Sequence, residues 1–153
     1  MTLYSKFFLT KGIGFSEVSK LNAFDHAILD AKVGQCNLVP VSSILPRNCE
    51  YAKEIPEIEP GEITHCVFSR AYGSKGEEIS AGVGFAKTKD YGFAMEESGN
   101  LKPEQVEARI SEKLKQMAET RKLEITEKGT RVAHIENINE KHGCTVALLI
   151  FRL

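Results

Sequence analysis

Residues 79–87, Ile-Ser-Ala-Gly-Val-Gly-Phe-Ala-Lys, constrain the fold more than any other stretch. Ile79, Ala81, Val83 and Phe85 fall on one face of a period-2 strand, while Ser80, Gly82, Gly84 and Ala86 leave the other face nearly bare. A bare face lets another backbone or layer come close.

The helical counterpart is residues 103–122. Pro103 suits a first helical position, and Val106, Ile110, Leu114, Met117 and Arg121 recur at steps of three and four with charge elsewhere. This stripe reads as core packing. A shorter helix is expected after Asn22, read as its cap, with Ala23, Phe24, Ala27, Ile28 and Ala31 on its apolar side and Gly34 as its stop. Strands are expected at 2–9, 63–72, 79–87, 91–96, about 130–138 and 144–152. The first is taken to end at a Gly12-Ile13-Gly14 turn, the fourth at Met95-Glu96, and residues 50–62 read as a surface loop. Two helices and six or seven strands in this order predict an α+β sandwich in one small domain spanning 1–153, since 153 residues bury a good core but divide poorly in two.

Twenty basic residues against 21 acidic, with no basic stripe, argue against nucleic acid as a partner. No stretch reaches the roughly 18 apolar residues of a membrane span, and no secretory leader is visible. Cys36, Cys49, Cys66 and Cys144 stand singly, as do His26, His65, His134 and His142. Free thiols in a reducing cytoplasm, without a zinc site, are the expectation.

One segment departs from ordinary strand grammar. Cys36-Asn37-Leu38-Val39-Pro40-Val41-Ser42-Ser43-Ile44-Leu45-Pro46 is apolar and β-prone, but two prolines and a serine pair interrupt it. Proline has no N–H to give a ladder, so the segment reads as a sheet edge or a strained, bulged turn. Asn37, a few residues upstream of the serines, carries an amide able to donate to a developing oxyanion.

With its surroundings, this segment resembles the pyruvoyl-dependent arginine decarboxylases. The likeness runs through Leu21-Asn22-Ala23-Phe24-Asp25, Gly34, Asn37-Leu38 and Val41-Ser42-Ser43-Ile44-Leu45-Pro46. It continues through Ala71-Tyr72-Gly73, Gly76-Glu77, Ile79-Ser80-Ala81, Lys89-Asp90, Met95-Glu96, Gly99, Glu140-Lys141 and Gly143-Cys144, covering about residues 19–153. Pro40, Arg47, Phe85 and Ala94 depart from the family pattern.

The resemblance implies self-cleavage between Ser42 and Ser43, with Asn37 in support, giving fragments 1–42 and 43–153. Ser43 would become a pyruvoyl group serving as electron sink, so neither pyridoxal phosphate nor a metal is expected. It implies Glu96 as proton donor, raised in pKa by its apolar setting, and Asp25 as the carboxylate that meets the guanidinium of arginine. It also implies a layered αββα sandwich that assembles as a trimer or dimer of trimers, with sites between subunits. Residues 79–87 are expected to offer their small face to such a neighbour. The same chemistry on another amino acid, and an uncleaved structural or regulatory relative, stay open as alternatives.

Overall fold

The computed structural model describes residues 3–153. Among these residues two helices and two sheets make one small α+β domain. Strand β1 (Lys6–Ser16) leads into helix α1 (Lys20–Asp30) and the short strands β2 (Asn37–Pro40), β3 (Ile44–Leu45) and β4 (Glu50–Tyr51). Strands β5 (Ile63–Ser74), β6 (Ile79–Lys87) and β7 (Gly92–Gly99) follow, then α2 (Pro103–Arg121), β8 (Glu127–Ile135) and β9 (His142–Arg152). One sheet has the order β2-β5-β9-β1-β4 and the other β3-β7-β6-β8.

The alternation of β9 shows how the layers stack. Cys144, Val146, Leu148 and Ile150 pack with Ala23, Ala27 and Ile28 of α1. Their neighbours Ala147, Leu149 and Phe151 turn to the other face and meet Val83, Phe85 and Ala94 of the second sheet. Beyond that sheet, Val106, Ile110, Leu114 and Ala118 of α2 cover Ala86 and Phe93. A strand two-faced in this way is buried on both sides, and β9 is apolar throughout from Val146 to Phe151.

The small-residue face of β6 is used inside the chain. A Cβ on Gly82 would stand 2.5 Å from Val106 Cγ1, and one on Gly84 would collide with Ile110. The face expected to receive a neighbouring subunit is therefore the seat of α2, which corrects that expectation. Gly12 and Gly14 likewise make no turn. Both lie within β1, paired with Val146 and Cys144, and their missing side chains let α1 settle on the strand.

Other boundaries shift for local reasons. The cap of α1 is Ser19, whose Oγ accepts from Asn22 N at 3.0 Å, and the helix ends at Asp30 with Ala31 as its C-cap, short of Gly34. Strand β1 starts at Lys6; Thr2, expected to open it, lies outside the described residues. Strand β7 continues past Glu96 to Gly99, because β6 keeps pairing with it as far as Ser80↔Gly99. The 50–62 stretch contains β4 and the buried Ile58.

Candidate active site

The Ser42–Ser43 segment lies where the chain leaves one sheet for the other. Strand β2 runs parallel to β5 at the outer edge of the first sheet, and Val41 N extends that pairing by donating to Cys66 O at 2.9 Å. Two residues on, Ser43 O accepts from Ala94 N of β7 at 2.8 Å, and β3 then pairs Ile44 with Phe93. Residues 41–43 thus bridge the sheets, with the exposed Ser42 in the middle and Ser43 half-buried. The edge reading holds: Pro40 sits opposite Cys66 on an outermost strand, where its missing N–H costs no interior bond. The expected backbone strain does not take the form of a positive φ at either serine, since among the described residues Lys32, Asn48 and Lys122 are the non-glycine ones with that conformation.

An open depression of about 290 Å³ adjoins the bridge, lined by Tyr4, Val41, Ser42, Ile44, Pro46 and Phe151. Tyr4 stacks on Phe151, and its hydroxyl is hydrogen-bonded to His65 Nδ1. A larger depression, about 480 Å³, lies at the far end of β3. It is bounded by Arg47, Lys89, Asp90 and Lys122 and includes the Arg47–Asp90 ion pair. It holds none of the residues singled out for chemistry.

Glu96 shares a face of β7 with Ala94, whose side chain is in the core between the sheets. Its own side chain is exposed at the rim of that gap. Partial withdrawal from water nevertheless pushes its carboxyl above the ordinary range, against the opposing pull of the Lys113 ammonium. Burial pushes the nearby Cys66 thiol up to about 12, with smaller upward contributions from Cys36 and Glu96.

Asn37 and Asp25 lie elsewhere. The Asn37 amide donates to Gly61 O at 3.0 Å at the head of β2. An extended strand rises roughly 3.3 Å per residue, which leaves Asn37 well over 10 Å from Ser42. Asp25 is on α1, across the five-stranded sheet from the gap that Glu96 faces. It projects from the same helical stripe as Leu21 and Leu29, which are 72% and 54% exposed. One chain therefore brings Ser43 and Glu96 to one place and leaves Asp25 on another surface.

Sequence reasoning missed Ala94, Ser69 and Lys113. Ala94 serves through its backbone, which no side-chain pattern announces. Ser69 alternates with Val67 and Ala71 and was findable as an inward polar residue on β5. Lys113 falls on the sheet-facing side of α2, between Ile110 and Met117, and was findable as a charged residue inside the apolar stripe.

What fold and site define by themselves is a class: a small α+β protein whose distinctive feature is a serine pair strung between two sheets, beside a carboxyl of raised pKa. Comparison with known proteins carries this further. A family model described as pyruvoyl-dependent arginine decarboxylase matches residues 6–152. A Methanothermobacter thermautotrophicus protein of that name is 39% identical over 153 residues, covering 99% of each chain. One from Methanopyrus kandleri is 32% identical over 151 residues, again 99% of each. The pyruvoyl-dependent arginine decarboxylase 2 of Methanosarcina mazei is 47% identical over 68 residues, 42% of this chain and 37% of that one. The chain belongs to the pyruvoyl-dependent arginine decarboxylase family, a family of enzymes that are carbon–carbon lyases.

Proposed function

We propose that this chain cuts its own backbone between Ser42 and Ser43, carries a pyruvoyl group at Ser43, and decarboxylates L-arginine to agmatine and carbon dioxide. The observation that carries the reading is the bridge. The Ser43 carbonyl is held by Ala94 N–H, two residues along β7 from Glu96. That carbonyl is the one that stays joined to Ile44 after cleavage. The residues present therefore fit a pyruvoyl group: Ala94 would hold its amide oxygen, and β3 would fix the new chain start against β7.

In cleavage, the Ser43 hydroxyl attacks the Ser42 carbonyl carbon. An ester to Ser43 Oγ forms, the peptide bond breaks and its nitrogen takes up a proton. Loss of the Ser43 α-proton then expels the Ser42 carboxylate and leaves dehydroalanine. Water converts this to a ketone and ammonia. Alanine at 43 supplies neither the nucleophile nor the leaving group.

When formed, the pyruvoyl group supplies an electron sink for the pair released with carbon dioxide. Glu96, whose carboxyl partial withdrawal from water shifts toward the protonated form, returns a proton to the substrate's α-carbon. Asp25 accepts two N–H bonds from the guanidinium. Because it lies across a sheet from Glu96 in its own chain, the Asp25 that serves a site comes from another copy. The apolar groups around it suit that role, as do exposed Val39, Val41 and Ile44 around the bridge. Two different surfaces that meet head to tail close a ring, and the ring proposed is a trimer, alone or paired. Asn37 supports cleavage by pinning the head of β2 to Gly61. The four free thiols support a reducing, cytoplasmic setting.

Intact mass of freshly purified protein tests the reading. Two fragments split after Ser42, the larger one pyruvoyl-capped, together with carbon dioxide from labelled arginine, are expected. A single 17.0 kDa species that persists on long incubation would refute self-cleavage. Release of carbon dioxide from lysine, ornithine or aspartate but not arginine would refute the substrate. Ser43→Ala should abolish both cleavage and turnover.

A further inference from the structure

The strand carrying Glu96 is gripped from both faces. From the five-stranded sheet, Ser69 Oγ donates to Glu97 O at 3.0 Å. From α2, Lys113 Nζ donates to Glu96 O at 3.2 Å and to Glu97 Oε2 at 2.8 Å. Adjacent residues of a strand point to opposite faces, so Glu97 meets α2 while Glu96 faces the gap between the sheets. One lysine thus holds the main chain of the proposed acid and, through its neighbour, forms a charge-balanced pair directly beneath it. Arg109 of α2 also acts on Glu97, while the thiol of Cys66, which packs on the α1 side of β5 and couples to Glu96 only through space, stays neutral.

We propose that the Lys113–Glu97 ion pair is a positioning and tuning device for Glu96. Lys113 fixes the Glu96 carbonyl so that the carboxyl is presented at the bridge, and the balance of charge within the pair sets the alkaline limit of turnover. This rests on Glu96 being the proton donor. As donor it works while protonated, so activity is lost as pH rises through its pKa. With Lys113 removed, an unpaired Glu97 carboxylate beside Glu96 favours retention of the proton. With Glu97 neutralised, a lone ammonium favours its loss.

The experiment is the pH dependence of kcat for processed wild type, K113M and E97Q. The alkaline limb should move up in K113M and down in E97Q, each by roughly half a pH unit, as one partly screened charge at this range allows. Loss of rate in both variants with the limb unmoved, or moved the same way, would reduce the pair to a structural brace and overturn the proposal. If K113M does not mature, E97Q decides alone, since it keeps the Lys113 hold on the Glu96 carbonyl: a downward limb supports the proposal and an unmoved one overturns it. E96Q separates the two levels. A fully active E96Q protein would remove Glu96 as donor, whereas a slow E96Q protein with unshifted limbs in the other variants rejects the tuning device only.

Discussion

Gly12→Ala adds a single methyl group, but to the strand on which α1 rests. Its Cβ would stand 2.7 Å from Ala31 N and closer still to Ala27 O, both main-chain atoms of the helix and its cap. A flexible side chain would swing away; a helix backbone cannot. To restore ordinary contact α1 must retreat by roughly 1 Å, which opens the packing of Ala23 and Ala27, both fully buried. Overpacking of a core typically costs about 1–3 kcal/mol, and a clash with backbone belongs at the upper end. For a domain of this size about 3 kcal/mol lowers Tm by roughly 6–12 °C. Thermal unfolding is best followed in the Ser43→Ala background, where the proposed cleavage is blocked. Gly61→Ala is the control, since a Cβ there meets nothing within 4 Å and the cost is that of φ +83° alone, about 1 kcal/mol. In cleavage-competent protein the same retreat displaces Asp25 and should raise KM for arginine more than it lowers kcat. A Gly12→Ala protein as stable as wild type, or no less stable than Gly61→Ala, would refute the account of how α1 is seated.

Thr145 Oγ1 is fully buried with no hydrogen-bond partner among the described residues, so Thr145→Val, a near-isostere, should stabilise by about 1 kcal/mol in urea unfolding; a loss of that size would reveal a hidden partner. Burial pushes the Cys49 thiol up to about 11 and those of Cys66 and Cys144 up to about 12. A disulfide reagent at pH 8 should therefore titrate half-buried Cys36 quickly and the other three slowly, and four fast thiols would contradict the packing. Glu96→Gln should trade activity for stability. A carboxyl whose folded pKa is raised loses stability as pH rises through it, so the variant should melt above its parent at neutral pH, with the gap closing below pH ~4.5. Glu97 has the opposite sign. Lys113 depresses its pKa, so its contribution is present above the ordinary carboxylate range and fades as pH falls through the lowered value, and Glu97→Gln should cost stability at neutral pH only.

Local sequence revealed most of the elements and less of what they touch. The period-2 alternation of 79–87 located β6 to the residue, and Pro103 with the stripe from Val106 located α2. The same alternation was silent about the occupant of the bare face, because Gly82 and Gly84 declare a close approach without saying by what. Gly12 and Gly14 misled for a related reason. A glycine read locally suggests a turn, and only the helix lying across β1 shows that the missing side chain is the point. Strand β7 outlasts its apolar residues because pairing with β6, and not burial, defines Glu97 to Gly99 as strand. At the site, the serine pair stood out by type and setting, yet its position between Cys66 and Ala94 depends on partners more than 20 residues away. No window on the chain contains that relation.

That relation also explains how a chain built this way tolerates a cut at the proposed bond. The break would separate β2 from β3, each of which is anchored on its own sheet by the neighbours just described. The fragment ahead of it keeps β1 between β9 and β4, in antiparallel register with β9 from Lys6↔Arg152 to Ser16↔His142. It also keeps α1 against β9 through residues that belong to one continuous core. Nothing in this packing depends on the 42–43 linkage. What the break changes is local: the connection between sheets is released, while Ser43 O stays on Ala94 N and β3 on β7. A chain start created there would thus be held by main-chain hydrogen bonds made before it exists, which is the preorganisation an electron-withdrawing group needs if it is to face Glu96 without rearrangement.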